Sequence, residues 1–197
     1  MIAYHNLLNK PHGLRPVLFL VAALCGMQTA CSAVPPEKVP VVQPEPPLAM
    51  VTSPTLKVLT LNLAHGRKDG VNQLFRTAGT IRNNLEEITA FLEKTGADVV
   101  ALQEADAPSR WSGNFDHVAL LAREAGYPAV ESSNQASSWF FSYGTALLSR
   151  VALSGVVHHT FRPSPPTMNK GCTLGQIVWQ PGTGEPVLVD IVSVHLD

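Results

Sequence analysis

The chain has 197 residues, of which 45% are hydrophobic and 15% are charged, and its formal net charge at neutral pH is -1. These values exclude a disordered or collagen-like chain and are typical of a globular protein, with one folded domain as the simplest arrangement. A charge so close to neutral also argues against a dedicated binder of duplex nucleic acid, which contacts many phosphates through basic side chains. It leaves open an enzyme that handles one phosphate at a time.

Residues 1–33 have the layout of an export signal. Lys10 and Arg15 precede the apolar run "PVLFLVAALCGM", and small side chains follow in "QTACSA". The run is shorter than the ~20 residues that cross the hydrocarbon core of a membrane, which argues against a transmembrane anchor. Cleavage before Cys31 would give a bacterial lipoprotein with lipid on that cysteine, whereas cleavage after Ala33 would give a periplasmic or secreted protein. Both routes stay open, and both predict export.

Residues 34–54 contain seven prolines, in "VPPEKVPVVQPEPPLAMVTSP". Proline-rich sequence favours extended polyproline conformations and builds no core. We therefore predict a stiff linker between the signal and a folded domain that covers residues 55–197.

The first half of that domain is predicted to form a strand, a helix and a second strand. "LKVLTLNL" (56–63) predicts a strand that is buried on nearly both faces, and "DVVALQE" (98–104) predicts the second strand. Between them, apolar side chains recur at steps of three and four, which predicts an amphipathic helix ended by Gly96. The apolar positions of this helix are Ile81, Leu85, Ile88 and Leu92. Such a unit lets the two strands pair side by side with the helix on one face.

The second half is predicted to be one helix followed by strands. The helix lies in "FDHVALLAREAGYP" and ends at Gly126, and the last two strands flank the turn "PGTGEP" as a hairpin. The predicted strands are "PAVESS", "YGTALLSR", "VALSGVVHHTF", "TLGQIVWQ" and "VLVDIVSVHL". This order of elements predicts an α/β fold with a mixed sheet and helices on one face. Because two helices cannot cover so many apolar strands, we expect the other face of the sheet to need a partner that this chain does not provide.

Polar side chains stand at the ends of three predicted strands, where sheet proteins commonly build their sites. Asn62 closes "LKVLTLN", Glu104 closes "DVVALQE", and His195 stands near the end of "VDIVSVH". A carboxamide, a hard carboxylate suited to Mg²⁺ and an imidazole together outline a metal-assisted hydrolytic site. Ordinary turn residues and a structural histidine would give the same pattern.

Four motifs, "LTLNLAHGR", "ADVVALQEAD", "YGTALLSR" and "VDIVSVHLD", occur in this order and spacing. Together they resemble the endonuclease/exonuclease/phosphatase family, which includes nucleases and lipid phosphodiesterases. The resemblance implies a four-layer α/β/β/α sandwich, of which this chain supplies the first half. It also implies a phosphoester hydrolase that uses Mg²⁺, with Mn²⁺ as an alternative.

The resemblance implies a functional role for individual residues of this sequence. Glu104 matches the glutamate that holds the metal, and Asn62 matches an asparagine that helps bind metal or orient the scissile phosphate. His195 matches the histidine that contacts the phosphate and assists proton transfer. Arg110 and Tyr143 are candidate substrate-binding residues. Asp106 is expected either beside the metal ligands or as a solvated loop acid.

Two family motifs do not follow in this sequence. A "GDFN"-like motif and a terminal Asp-His pair normally complete the site, and the sequence ends at Asp197 before either. We therefore expect this polypeptide to have little or no activity alone, and a catalytically inactive surface or binding protein is the alternative function. The motifs do not decide whether the substrate is a nucleic acid, a phospholipid or a small phosphodiester. The expected partners are that substrate and, through Cys31, a membrane; no protein partner is predicted.

Overall fold

A computed structural model describes residues 49–68, 76–163 and 165–196. The chain divides into two units, Met1–Val41 and Val42–Asp197, and all of the described residues belong to the second. The predicted signal and Cys31 therefore lie outside the described residues. Within the described ranges, neither helix is long and apolar enough to span a membrane.

Eight strands and two α-helices make up the described fold, which confirms the predicted α/β class. In chain order they are β1 (Val51–Thr52), β2 (Val58–Asn62), α1 (Ala78–Thr95), β3 (Val99–Asp106), α2 (His117–Ala125), β4 (Ala129–Ser137), β5 (Ser142–Ser149), β6 (Ser154–Thr160), β7 (Gly171–Gln180) and β8 (Val187–His195). Both predicted helices end where expected, because Gly96 and Gly126 adopt the left-handed conformation that closes a helix.

The first sheet has the strand order β2-β3-β5-β4, and both helices pack on one of its faces. Strands β2 and β3 are parallel, which confirms the predicted strand-helix-strand unit, whereas β5 is antiparallel to both of its neighbours. The fully buried side chains of this layer come from α1, α2 and the facing side of the strands: Ile81, Leu85, Leu92, Val100, Leu102, Leu121 and Leu148.

The second sheet is built around β7, which pairs with β6 and β8 in antiparallel register and with β1 in parallel register. The hairpin of β7 and β8 is therefore confirmed. Strand β1 falls in the segment predicted as linker, yet Val51 is buried beside Trp179. The folded unit thus begins before Thr55, because these two residues add a short strand to the sheet.

The two sheets pack against each other through a second apolar cluster. Val99, Ala101 and Leu147 of the first sheet meet Ile177 and Ile191 of the second, and all five are buried. The described residues therefore form three layers: helices, a first sheet and a second sheet.

The outer face of the second sheet carries apolar side chains in contact with solvent. Val157, Leu188, Val192 and Val194 are between 43% and 59% exposed. Neither of the two helices in the described ranges covers this face. The expectation that the open face of one mixed sheet would find no partner in this chain is wrong, because the strands divide into two sheets and the second covers the first.

The prediction that the first strand is buried on nearly both faces is wrong. Leu59 and Leu61 pack toward the helices, but Val58 is 50% exposed, and Thr60 and Asn62 are also exposed. The reason is position, because β2 is an edge strand of its sheet and the second sheet does not cover its other face.

Candidate active site

A β-bulge turns Glu104 out of the helix-facing side of β3. Val100 and Leu102 face the helices, so a regular strand would point residue 104 the same way. The pairing of β3 with β5 shifts register between Leu102 and Ala105, and it is Ala105 that packs toward the helices. Glu104 adopts a left-handed backbone conformation with φ of 48°. Its carboxylate is thereby free to face the ends of β2 and β8.

Asn62 holds one oxygen of this carboxylate. Its Nδ2 donates to Oε1 of Glu104 at 3.1 Å, and its own Oδ1 accepts a hydrogen bond of 2.8 Å from the backbone N–H of Ala64. The second bond fixes the amide in the orientation that presents nitrogen to Glu104. The two residues are brought together because β2 and β3 are parallel neighbours and Asn62 pairs with Gln103.

His195 reaches the same carboxylate from the second sheet. Its Nε2 lies 3.6 Å from Oε1 of Glu104 and 3.1 Å from Nζ of Lys170. Lys170 directly precedes β7, in which Gly171 pairs with His195. The structure thus brings Asn62, Glu104 and His195 together, and Lys170 adds a cation that the sequence analysis did not single out.

His65 links Glu104 to a buried acid. Its Nε2 lies 3.2 Å from Oε2 of Glu104, and its Nδ1 lies 2.7 Å from Oδ1 of Asp106. Asp106 is completely buried, and its other oxygen accepts a hydrogen bond of 2.9 Å from Nε1 of Trp111. Asp106 therefore lies directly behind the candidate metal ligand and is not a solvated loop acid.

The turn that presents His65 is conformationally unusual. Ala64 and His65 both have positive φ angles, of 46° and 56°, which residues other than glycine rarely adopt. The carbonyl of Gly66 accepts a hydrogen bond of 2.8 Å from Nδ2 of Asn84 in α1, which ties the turn to the helix. Backbone strain of this kind persists where the surrounding contacts over-determine the conformation, and it is concentrated at functional sites.

Tyr143 lines the site, but its side chain is buried and offers little surface for contact with a substrate. It is 6% exposed, and its ring packs edge-on against His65 at 4.6 Å and stacks on Trp111 at 5.7 Å. Burial raises the pKa of its hydroxyl, and the nearby charges of Glu104 and Asp106 raise it further. The close packing indicates that Tyr143 supports the imidazole of His65.

Arg110 lies farther out, in the short helical turn Arg110–Ser112 that follows β3. Its side chain is exposed, and its guanidinium carbon lies 5.7 Å from the ring centre of Trp139. Arg110 is thus available to an anionic ligand, although its nearest aromatic partner is not part of the Glu104 cluster.

Glu104 is the donor that suits a hard divalent cation. Its side chain is 19% exposed, and the carboxylate oxygens are held by Asn62 and His65. Among the residues that the structure describes, no three His, Cys, Asp or Glu side chains form a metal-binding group. Mg²⁺ does not require one, because it commonly binds one or two carboxylates and completes its shell with water and phosphate oxygens. The residues therefore fit Mg²⁺, with Asn62 oriented to hold the carboxylate.

Comparisons with known proteins identify a family and a similar fold. Residues 59–189 match the model of the Endonuclease/Exonuclease/phosphatase family, a range that includes Asn62 and Glu104 and ends before His195. No curated protein matches the sequence.

Among solved structures, the chain is similar to an endonuclease/exonuclease/phosphatase family protein from Leptotrichia buccalis C-1013-b. The TM-score is 0.53 at 16% identity, and the alignment covers 73% of this chain and 54% of the other. At this identity the likeness shows the fold alone, and the chain spans about half the length of that protein.

Proposed function

The chain belongs to the endonuclease/exonuclease/phosphatase family, and from that premise we propose that it is a phosphoester hydrolase that uses Mg²⁺ or Mn²⁺ at Glu104. The observation that carries the proposal is the convergence on one bulged carboxylate. Asn62 and His65 contact its two oxygens, and His195 approaches from the other sheet. Three separate segments of the chain meet there, which is the arrangement expected of a site rather than of a surface acid.

In this proposal each residue has a distinct task. A metal ion held by Glu104 would act as a Lewis acid on a phosphate oxygen and stabilise the leaving oxygen. Asn62 and His65 fix the direction of the carboxylate, so that it does not reorganise when the cation binds. Lys170 places a positive charge beside His195, where a phosphate oxygen would be attracted. His195 contacts the phosphate and assists proton transfer.

The substrate class that fits is a phosphate ester, in a nucleic acid, a phospholipid or a small phosphodiester. Arg110 is the candidate for contacts away from the scissile bond, because its charge is exposed. Tyr143 supports the site by packing and has little surface left to offer a substrate.

The proposal includes export and, at Cys31, attachment of lipid. It is supported by the basic, apolar and small-residue order of residues 1–33. Radiolabelled palmitate should be incorporated into the full chain in a bacterial host and lost in Cys31→Ser. A signal that is cleaved without incorporating label would favour a periplasmic or secreted protein instead.

The hydrolase proposal is tested by metal titration and turnover of the same samples. We expect Mn²⁺ to bind the full chain in calorimetry, and Glu104→Gln to abolish the binding while Glu131→Gln leaves it unchanged. We expect hydrolysis of bis(p-nitrophenyl) phosphate by this polypeptide alone to be slow, and the hydrolysis that occurs should require the metal and Glu104. Glu104-dependent binding without any turnover would favour the alternative of an inactive binding protein, and absence of both would refute the proposal.

A further inference from the structure

Three loops meet beside the Glu104 cluster and form one surface, here called the loop surface. It consists of residues 107–115 after β3, the turn Ser138–Phe141 between β4 and β5, and residues 161–163 and 165–170 between β6 and β7. The backbone N–H of Trp111 donates to the carbonyl of Phe140 at 3.3 Å, which joins the first loop to the second. Phe141 shares a small cavity with Thr167 and Met168, which joins the second to the third.

The loop surface exposes large apolar side chains at its edge. Trp139 is 80% exposed and Met168 is 50% exposed, while Phe140 and Phe141 are half-buried behind them. Scattered apolar residues are normal on a protein surface, but an exposed cluster marks an interaction site.

The turn that carries Trp139 is held by hydrogen bonds. The hydroxyl of Ser138 accepts from the N–H groups of Phe140 and Phe141, both at 3.2 Å. The N–H of Ser138 donates to the carbonyl of Phe141 at 2.7 Å. The indole is therefore presented by an ordered tip, so that little conformational entropy is lost when it enters a partner.

The charge of the loop surface is mainly positive. Its segments contain Arg110, Arg162 and Lys170, of which Lys170 contacts His195. The acid that follows the first loop, Asp116, caps α2. Arg110 lies against Trp139 itself, at 5.7 Å from the ring centre. The complementary partner is therefore anionic as well as apolar.

We propose that the loop surface docks on an anionic lipid bilayer, with Trp139 and Met168 entering the headgroup region and the exposed Arg110 and Arg162 facing lipid phosphates. Tryptophan flanked by basic side chains is suited to the membrane interface, because the indole is both apolar and a hydrogen-bond donor. A single-stranded nucleic acid fits less well, since it stacks on open ring faces along a groove. Trp139 instead stands at a hairpin tip, with Arg110 over its ring and Phe140 at 5.4 Å. The proposal stands apart from hydrolase activity and from lipidation at Cys31.

Vesicle binding tests it. The full chain would carry Cys31→Ser in every sample, so that no lipid attaches there, and would be sedimented with vesicles of phosphatidylcholine alone or with added phosphatidylglycerol. We expect tighter binding to the anionic vesicles, weakened at least tenfold by Trp139→Ser. Arg110→Gln should weaken it about fivefold on anionic vesicles only, since one basic residue near such a surface is worth ~1 kcal/mol. Leu188→Ser, which alters an apolar side chain 59% exposed on the second sheet, should change nothing.

Three results would overturn the proposal. Trp139→Ser and Leu188→Ser could have equal effects, which would indicate general adhesion of apolar side chains. Trp139→Ser could reduce binding of a single-stranded oligonucleotide while vesicle binding stays absent. It could also change only the self-association of the protein in ultracentrifugation. Circular dichroism of each variant separates all of these from loss of the fold.

Discussion

The imidazole of His65 and the carboxylate of Asp106 form a buried pair in which Nδ1 and Oδ1 lie 2.7 Å apart. Asp106 is completely inaccessible to solvent and His65 is 6% exposed, so neither is placed to meet a substrate directly. The pair thus fixes the ring whose other nitrogen faces Glu104.

Replacing His65 should weaken metal binding without unfolding the protein. In His65→Ala, Glu104 loses the partner at Oε2, and we expect the Mn²⁺ affinity to fall about 10- to 100-fold, the usual effect of losing a residue that orients a metal ligand. Calorimetric titration at neutral pH measures it, and added imidazole should restore part of the affinity. His158→Ala, which removes a half-exposed histidine paired with Glu131 at 3.7 Å, is the matched control. Equal affinities in the two variants would show that His65 has no influence on Glu104.

Gly144 in β5 should tolerate no side chain. A Cβ there would overlap the backbone carbonyl of Ser133 and the side chain of Gln135, both in β4. We expect Gly144→Ala to lower the free energy of unfolding by about 3 kcal/mol, the upper range for an overpacked core. Gly79→Ala is the control: its Cβ would meet only Thr77 Oγ1 at 3.8 Å, and alanine in α1 should raise stability by about 0.5–1 kcal/mol. Urea denaturation measures both, and a destabilised Gly79→Ala would contradict the steric argument.

His117 should make the fold sensitive to mild acid. Burial lowers the pKa of its imidazole below the usual 6.5, outweighing the raising effect of the hydrogen bond to the Ser112 carbonyl at 3.0 Å. Above pH 6.5 the ring is neutral in both the folded and unfolded states. As the pH falls below that value the unfolded chain takes up the proton first, so stability declines until the lowered pKa of the folded state is reached. Urea unfolding of the full chain at pH 7.5 and pH 5.5 measures the decline, which should be smaller in His117→Gln.

Local patterns were sufficient to predict most of the secondary structure. The three-and-four spacing of Ile81, Leu85, Ile88 and Leu92 identifies α1, and the glycine that follows at position 96 identifies its end. The adjacency of β2 and β3 followed from the helix between them. Exposure of Val58 did not follow, because the edge position of β2 depends on which strands pair elsewhere.

The candidate site was predictable only in its strand-end residues. Asn62, Glu104 and His195 were identified because each closes an apolar strand and matches a family motif. Simple alternation would have turned Glu104 toward the helices, and the bulge that redirects it has no signature in "ALQEAD". His65 and Asp106 become partners only through a contact across 41 positions of sequence. The histidine of "LAHGR" was nevertheless a usable signal, as a titratable side chain shortly after Asn62.

The left-handed conformations of Ala64, His65 and Glu104 have a consequence for anyone who evolves or redesigns this protein. Positions with unfavourable backbone geometry are the first at which a screen for heat resistance finds improvement, since glycine relieves the strain directly. At Ala64 such a gain would loosen the turn that presents His65, and at Glu104 it would delete the carboxylate itself. Substitutions at these three positions that raise thermal tolerance should therefore weaken cation binding.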